Sequence, residues 1–281
     1  MNAPSSTTAS RWLAATEAVF RRFNIETPRL DSLVLLSDEL GRDKVWILAH
    51  PEFILQGSIL ENLSTKVAQR AQHIPLAYIR GKTEFYGREF AVNEYVLVPR
   101  PESEAMIELL KKTLNLESGI SIFDIGTGSG ALAITAKLEV STAEVIAIDI
   151  DEKCLAVARK NAQNLGADIT LLQGDLLQPL QDSRFQILDS IILANLPYVP
   201  NDYPVNKAAA HEPCLALFSG ADGLDHYRTL FEQLEALAIK PLHVITESLA
   251  SQHAALTDIA MNNGYFLAKT DGLAQRFSTT K

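Results

Sequence analysis

Apolar residues recur three or four positions apart from Trp12 to Phe23, from Leu30 through Leu33 and Val34 to Leu40, and from Ile59 through Leu63 to Val67. That spacing gathers them on one stripe of a helix, so the first part of the chain predicts a bundle of amphipathic helices. Gly41, Pro51 and Pro75 punctuate the bundle, since glycine accepts the left-handed turn after a helix and proline cannot continue one. The pattern then changes. Ala77-Tyr78-Ile79, Glu84-Phe85-Tyr86, Phe90-Ala91-Val92 and Tyr95–Val98 are short β-prone runs broken by Gly81, Gly87 and Asn93, which predicts a β-hairpin bridge. Beyond Glu102 apolar strands at Ile120–Asp124, Val145–Asp149, Ile169–Gln173, Ile187–Leu193 and Val244–Glu247 alternate with helical stretches at Ala131–Leu138, Glu152–Leu165, Leu224–Ile239 and Gln252–Asn263. Alternation of this kind predicts an α/β fold with a mostly parallel sheet covered on both faces. Tyr265–Lys269 and Arg276–Thr279 stand too close for a helical crossover, so they are expected to form an antiparallel edge pair. The chain thus divides into a helical domain over 1–74, a β-hairpin linker over 75–101 and an α/β domain over 102–281.

Composition narrows the class. With 281 residues, 47% hydrophobic and 21% charged, a buried core is assured and global disorder excluded. A net charge of −9 argues against direct nucleic-acid binding, which draws its affinity from a basic face set against phosphates. Apolar runs fall short of a membrane span. The stretch from Met1 to Ser10 has neither the basic nor the apolar region of a secretion signal and reads as a frayed leader on a cytoplasmic, monomeric protein. Cys154 and Cys214 form no C-x-x-C, and the six histidines, among them His50, His73, His211 and His243, show no ligand spacing, so no metal site is expected.

Chemistry concentrates at the ends of the predicted strands. The first runs into Asp124-Ile125-Gly126-Thr127-Gly128-Ser129-Gly130, and a helix opens at once. Glycines are needed where a backbone turns tightly and lets a ligand touch its N–H groups. Strand two ends at Asp149, placed to accept from ribose hydroxyls, and strand three ends at Gly174-Asp175-Leu176. Gly126-x-Gly128-x-x-Ala131 formally satisfies a dinucleotide fingerprint, so NAD is one candidate. Three acids at consecutive strand ends suit a nucleoside carrying an ammonium group better: Asp124 near the ammonium, Asp149 on the ribose, Asp175 on the adenine amine. S-adenosylmethionine has that form.

Strand four delivers Asn195-Leu196-Pro197-Tyr198 to the same edge. An amide or aromatic amine nitrogen is a poor nucleophile because its lone pair is delocalised. Two fixed acceptors for its hydrogens would aim that lone pair, and the Asn195 side-chain oxygen and Leu196 carbonyl are placed to be those acceptors. Pro197 biases Leu196 toward extended backbone, and Tyr198 offers a flat apolar face. Orientation of this kind is worth up to about 7–11 kcal/mol in well-aligned reactions.

From about Pro75 onward the chain resembles the HemK/PrmC family, the methyltransferases that modify the glutamine amide of peptide chain release factors. The resemblance is carried by Pro75–Ile79 with Gly81, Glu84–Gly87, Val98-Pro99-Arg100-Pro101-Glu102-Ser103-Glu104, Asp124–Gly130 and Asn195–Tyr198. It continues through Glu212-Pro213, Ala216-Leu217-Phe218, Gly220, Asp222-Gly223-Leu224 and Tyr227-Arg228. It implies a seven-stranded, Rossmann-like class I methyltransferase sheet behind an all-α domain that docks class 1 release factors. It also implies that Gly126 to Gly130, Asp149, Leu176 and Asn195 contact S-adenosylmethionine, and that Asn195 to Tyr198 hold the glutamine of a Gly-Gly-Gln loop. Three departures stand out: Leu196 where the family has proline, Glu247-Ser248-Leu249 where it has Glu-x-Gly, and Ser103 where threonine is commoner. A ribosomal-protein glutamine methyltransferase and a DNA or RNA amino-methyltransferase use the same logic and remain alternatives.

Overall fold

The computed structural model of the chain describes residues 6–113, 119–181, 187 and 189–279. It forms two compact units, Met1–Gly81 with Asn206–His211, and Lys82–Val205 with Glu212–Lys281.

The first unit holds helices α1 (Ala9–Arg22), α2 (Pro28–Leu40), α3 (Lys44–Ala49), α4 (Ser58–Ala71) and α5 (Leu76–Arg80). Trp12, Leu13, Phe20, Leu33, Leu36, Ile47, Leu60 and Leu63 meet in its core, as the helical spacing predicts. Two readings are corrected. Of the leader expected to fray, residues 1–5 lie outside the described ones, but Ser6–Thr8 form strand β1, antiparallel to β2 (Ile54–Gln56). Backbone pairing leaves no hydrophobic signature in a polar stretch, so the pattern could not show it. Ala77-Tyr78-Ile79 is helical, not extended. Leu76 and Ile79, three apart, pack against the helical core, and Gly81 at φ +70° ends the turn, so burial overrides β propensity.

In the second unit a hairpin pairs β3 (Lys82–Phe85) with β4 (Arg88–Ala91). Its turn places Tyr86 at φ +51° and Gly87 at φ +69°. The tyrosine is held there by Glu104, which accepts from its main-chain N–H at 2.8 Å, and by Glu108, which accepts from its hydroxyl. Tyr95–Val98 does not form the expected strand. Asn93 turns the chain, its side chain accepting from Tyr95 N–H at 3.1 Å, and Val96 and Val98 are buried without joining a sheet.

The alternating region builds α6 (Glu104–Thr113), β5 (Ser121–Ile125), α7 (Ala131–Glu139), β6 (Glu144–Asp149), α8 (Glu152–Leu165), β7 (Thr170–Gln173) and β8 (Ile191–Ala194). It continues with α9 (Asp225–Ala236), β9 (His243–Glu247), α10 (His253–Asn262), β10 (Phe266–Asp271) and β11 (Ala274–Ser278). The sheet has seven strands in the order β10-β11-β9-β8-β5-β6-β7, parallel from β9 to β7. The last two strands pair antiparallel as expected, yet β11 also pairs with β9, so of these two only β10 is an edge. Period-two alternation splits the core. Ile122, Val145, Ile191 and Leu193 face one layer, and Phe123, Ile146, Ile148, Ile192 and Phe231 the other. The chain order reverses between β5 and β8, and the crevice at the carboxyl ends of such neighbours is where open α/β sheets bind ligands.

Candidate functional site

A cavity of about 430 Å³ opens at that crevice, a size typical of small-molecule sites. Its wall brings together Gly126, Thr127, Gly128, Ser129, Asp149, Asp175, Leu176, Asn195, Leu196 and Pro197. Asp124, Gly130 and Tyr198 are not on that wall, and each has another task.

The glycine loop is held in shape by its backbone and by two acids. Gly126 N–H and Thr127 N–H both donate to the Ile148 carbonyl, at 2.9 and 3.0 Å. Gly126, Gly128 and Gly130 all lie at positive φ. At Gly130 a Cβ would meet Ile134 at 2.9 Å and Ala158 at 3.1 Å, so this glycine serves close packing of α7 on α8. Asp124, only 1% exposed, does not reach the cavity where an ammonium was expected. Its Oδ2 accepts from the Thr127 hydroxyl at 2.6 Å and Ala133 N–H at 3.1 Å, tying the loop to the start of α7. Its Oδ1 is buried without a partner, and burial pushes its carboxyl up to about 7.

Asp149 accepts from Gly128 N–H at 2.8 Å and Asp151 N–H at 3.0 Å, one to each oxygen. A carboxylate oxygen has further lone pairs, so Asp149 stays able to take two ribose hydroxyls from the cavity side. Burial moves its carboxyl up. Leu176 adopts φ +50°, an unfavourable conformation for a branched residue that concentrates at ligand sites. Gln233 holds the turn by accepting from Leu177 N–H at 2.9 Å. An open glycine loop, a carboxylate with free lone pairs and a strained apolar wall suit a ribose-bearing ligand with an extended polar tail, as S-adenosylmethionine has.

Across the crevice, β8 ends in the Asn195 loop. The Asn195 amide nitrogen donates to Ser103 Oγ at 2.9 Å, which leaves the amide oxygen as its other polar face. The Tyr198 hydroxyl donates to Glu247 Oε1 at 2.9 Å, so the phenol is tethered beside the cavity and not on its wall. Burial, and then the Glu247 charge, push that hydroxyl well above its ordinary range. Gln252 Nε2 bridges the carbonyls of Tyr198 and Asp222, both at 2.7 Å. Beneath the loop, the buried Tyr227 hydroxyl lies 3.0 Å from the Ala194 carbonyl and 2.5 Å from that of Glu247. Leu196, in place of the family's proline, is 3% exposed, and its Cδ2 lies 3.1 Å from where a Cβ on Gly126 would stand. The leucine therefore packs the two loops together. Leu249 sits at φ −59°, which needs no glycine, so the second departure leaves the turn after β9 unstrained.

Several residues of this architecture carried the resemblance without a role that sequence could assign. Ser103 and Glu247 anchor the Asn195 loop. Gly223 makes room for it, since a Cβ there would stand 2.1 Å from the Tyr198 carbonyl oxygen. Glu212, 5% exposed, accepts from Arg100 Nη2 at 2.6 Å, and burial pushes its carboxyl up against that pairing. Asn161 had no signal at all, yet it joins the hairpin to the glycine loop. Its Oδ1 accepts from Ala91 N–H at 2.7 Å, and its Nδ2 donates to the carbonyls of Ala91 and Ser129 at 2.9 and 2.8 Å. Among the described residues no cluster of three His, Cys, Asp or Glu could hold a metal ion, and no helix is long and apolar enough to cross a membrane.

Comparison with known proteins gives the lineage. A sequence profile described as the PrmC N-terminal domain matches residues 11–81, and one described as a methyltransferase domain matches residues 116–239. The chain is 34% identical to the release factor glutamine methyltransferase of Bacillus subtilis over 81% of each chain. It is 36% identical to that of Moorella thermoacetica over 86% of each, and 30% identical to that of Clostridium acetobutylicum over 90% of each. Among solved structures, the hMettl16 catalytic domain bound to an RNA hairpin superposes with a TM-score of 0.53 at 13% identity, covering 97% of this chain and 92% of that one. A methyltransferase from Pyrococcus furiosus gives 0.50 at 18%, covering 69% and 90%. At such identities the likeness is one of fold.

Proposed function

The chain belongs to the release factor glutamine methyltransferase family, and on that premise we propose its reaction and the residues that serve it. It moves a methyl group from S-adenosylmethionine to the side-chain amide nitrogen of the glutamine in the Gly-Gly-Gln loop of class 1 peptide chain release factors. The observation that carries this reading is the placement of Asn195-Leu196-Pro197 on the same cavity wall as the glycine loop and Asp149. When bound, S-adenosylmethionine supplies an electrophilic methyl on a positively charged sulfur. Gly126 to Gly128, Asp149, Asp175 and Leu176 would hold it.

The chain's own part is orientation. The Asn195 side-chain oxygen and the Leu196 carbonyl accept the two hydrogens of the glutamine amide, and its nitrogen lone pair turns out of conjugation toward the methyl. Tyr198, expected to lie against the amide, stands beside the cavity and instead holds the end of this loop through its hydroxyl on Glu247. The N-alkylated amide cation that results is strongly acidic, so its extra proton passes to water without a dedicated base or a metal ion. Residues 1–74 form the domain that docks the release factor and 75–101 the linker to the catalytic domain over 102–281. The chain acts as a cytoplasmic monomer and makes no direct contact with nucleic acid, in keeping with its net charge of −9.

Mass spectrometry of a release factor incubated with the protein and labelled cofactor tests the proposal. The expected result is a single methyl on the Gly-Gly-Gln peptide. A methyl found on a ribosomal-protein glutamine or on a nucleobase instead would overturn it.

A further inference from the structure

The side chain of asparagine has two faces of nearly the same shape, an acceptor and a double donor, and a half-turn exchanges them. Only one orientation accepts from the glutamine amide. We propose that Ser103 and Glu247 are positioning residues that fix the orientation of Asn195, a role that rests on the reading of the Asn195 loop given above.

The hydrogen bonds have a direction. Asn195 Nδ2 donates to Ser103 Oγ at 2.9 Å, and Ser103 is 4% exposed, so water does not compete for that oxygen. Having accepted from Asn195, the Ser103 hydroxyl still has its own hydrogen to give, and on this proposal it goes to the buried Glu247 carboxylate. Burial pushes the Glu247 carboxyl up, and Ser103, Tyr198 and Asn195 act against that push. Tyr198 does so at 2.9 Å from Oε1. A carboxylate only accepts, so a Ser103 hydrogen turned to it cannot serve the Asn195 oxygen, which is left for the cavity that Asn195 lines. Glu247 is 1% exposed, and its Oε2 is buried with no partner at bonding distance. Its own carbonyl shares the Tyr227 hydroxyl with Ala194, which locks the ends of β8 and β9 to each other. One buried acid thus orients both the first and the last residue of the signature. It is not on the cavity wall.

Ser103→Ala, Ser103→Thr and Glu247→Gln test this. Ser103→Ala is expected to lower kcat about tenfold or more, with KM for the release factor and the calorimetric affinity for S-adenosylmethionine nearly unchanged. Ser103→Thr keeps the hydroxyl and should restore kcat to within about threefold. Glu247→Gln, able to donate as well as accept, should lower kcat at least as far as Ser103→Ala. If that variant does not fold, the serine pair decides. A second readout needs no turnover: in NMR the Asn195 side-chain amide hydrogens exchange slowly with solvent in the wild type and Ser103→Thr, and quickly in Ser103→Ala. Unchanged kcat in Ser103→Ala or Glu247→Gln, loss in both serine variants, or identical amide exchange would overturn the positioning role. If the wild type itself leaves the release factor unmethylated, the site reading falls instead, and the exchange measurement still judges the orientation of Asn195.

Discussion

At the scale of single residues, two positions decide whether the site can form. Gly223 lies at φ +81°, with the Tyr198 carbonyl oxygen 2.1 Å and Gln252 Nε2 2.4 Å from where a Cβ would stand. Gly223→Ala therefore displaces the signature loop. Unfolding free energy should fall by about 1–3 kcal/mol, and turnover should fall much more steeply than affinity for S-adenosylmethionine. A variant with normal kcat would show that the loop tolerates movement. Asp124 supplies a pH signature. Its carboxyl is raised from 3.8 to about 7, by burial first, with the Asp149 charge adding to it. Between those values the folded protein binds more protons at this group than the unfolded chain does, so its contribution to stability falls as pH rises through the window. Asp124→Asn retains an oxygen for Thr127 and Ala133 and removes that slope. Denaturation midpoints of the ligand-free proteins at about pH 5 and pH 8 should show the wild type losing more stability than the variant. Parallel profiles would place the titration elsewhere.

At the scale of elements, what was legible followed periodicity. The helices of the first unit, the parallel strands and the loops at their carboxyl ends all carry apolar spacing or turn residues, and the structure forms them close to where the pattern puts them. What was not legible depends on partners distant in sequence. β1 pairs through its backbone with β2, and α5 is helical because Leu76 and Ile79 find the bundle core. Tyr95–Val98 owes its burial to packing and not to strand pairing. Asn161 sits on α8 among Lys160, Gln163 and Asn164, where any polar residue reads as a solvated face. It is nevertheless 1% exposed and carries three hydrogen bonds across the hairpin and the glycine loop. Asn161→Ala leaves the Ser129 carbonyl buried without its partner, so chemical denaturation should show a loss of about 1–3 kcal/mol, with weaker cofactor binding by calorimetry. Unaltered binding would mean that the loop keeps its shape without the hairpin.

At the scale of the whole molecule, function follows from where the sheet reverses. β5 and β8 are neighbours although β6 and β7 intervene in sequence. This arrangement brings the glycine loop and the Asn195 loop to one cavity. Most of the candidate site residues line the cavity, and they could be named because they sit at strand ends, which sequence marks by glycine, acid and Asn-x-Pro. Asp124, Gly130 and Tyr198 lie off that wall. The support beneath it, Ser103, Glu247, Gln252 and Tyr227, comes from other elements and had to be seen folded. In the function proposed above, the Asn195 loop orients an amide while other residues hold the cofactor. The most direct test measures methyl transfer to a release factor and calorimetric affinity for S-adenosylmethionine in the same Asn195→Ala preparation, with Asp149→Ala as its counterpart. Asn195→Ala is expected to abolish transfer with cofactor affinity kept within about tenfold, and Asp149→Ala to lose affinity. Near-normal turnover in Asn195→Ala would contradict that orienting role.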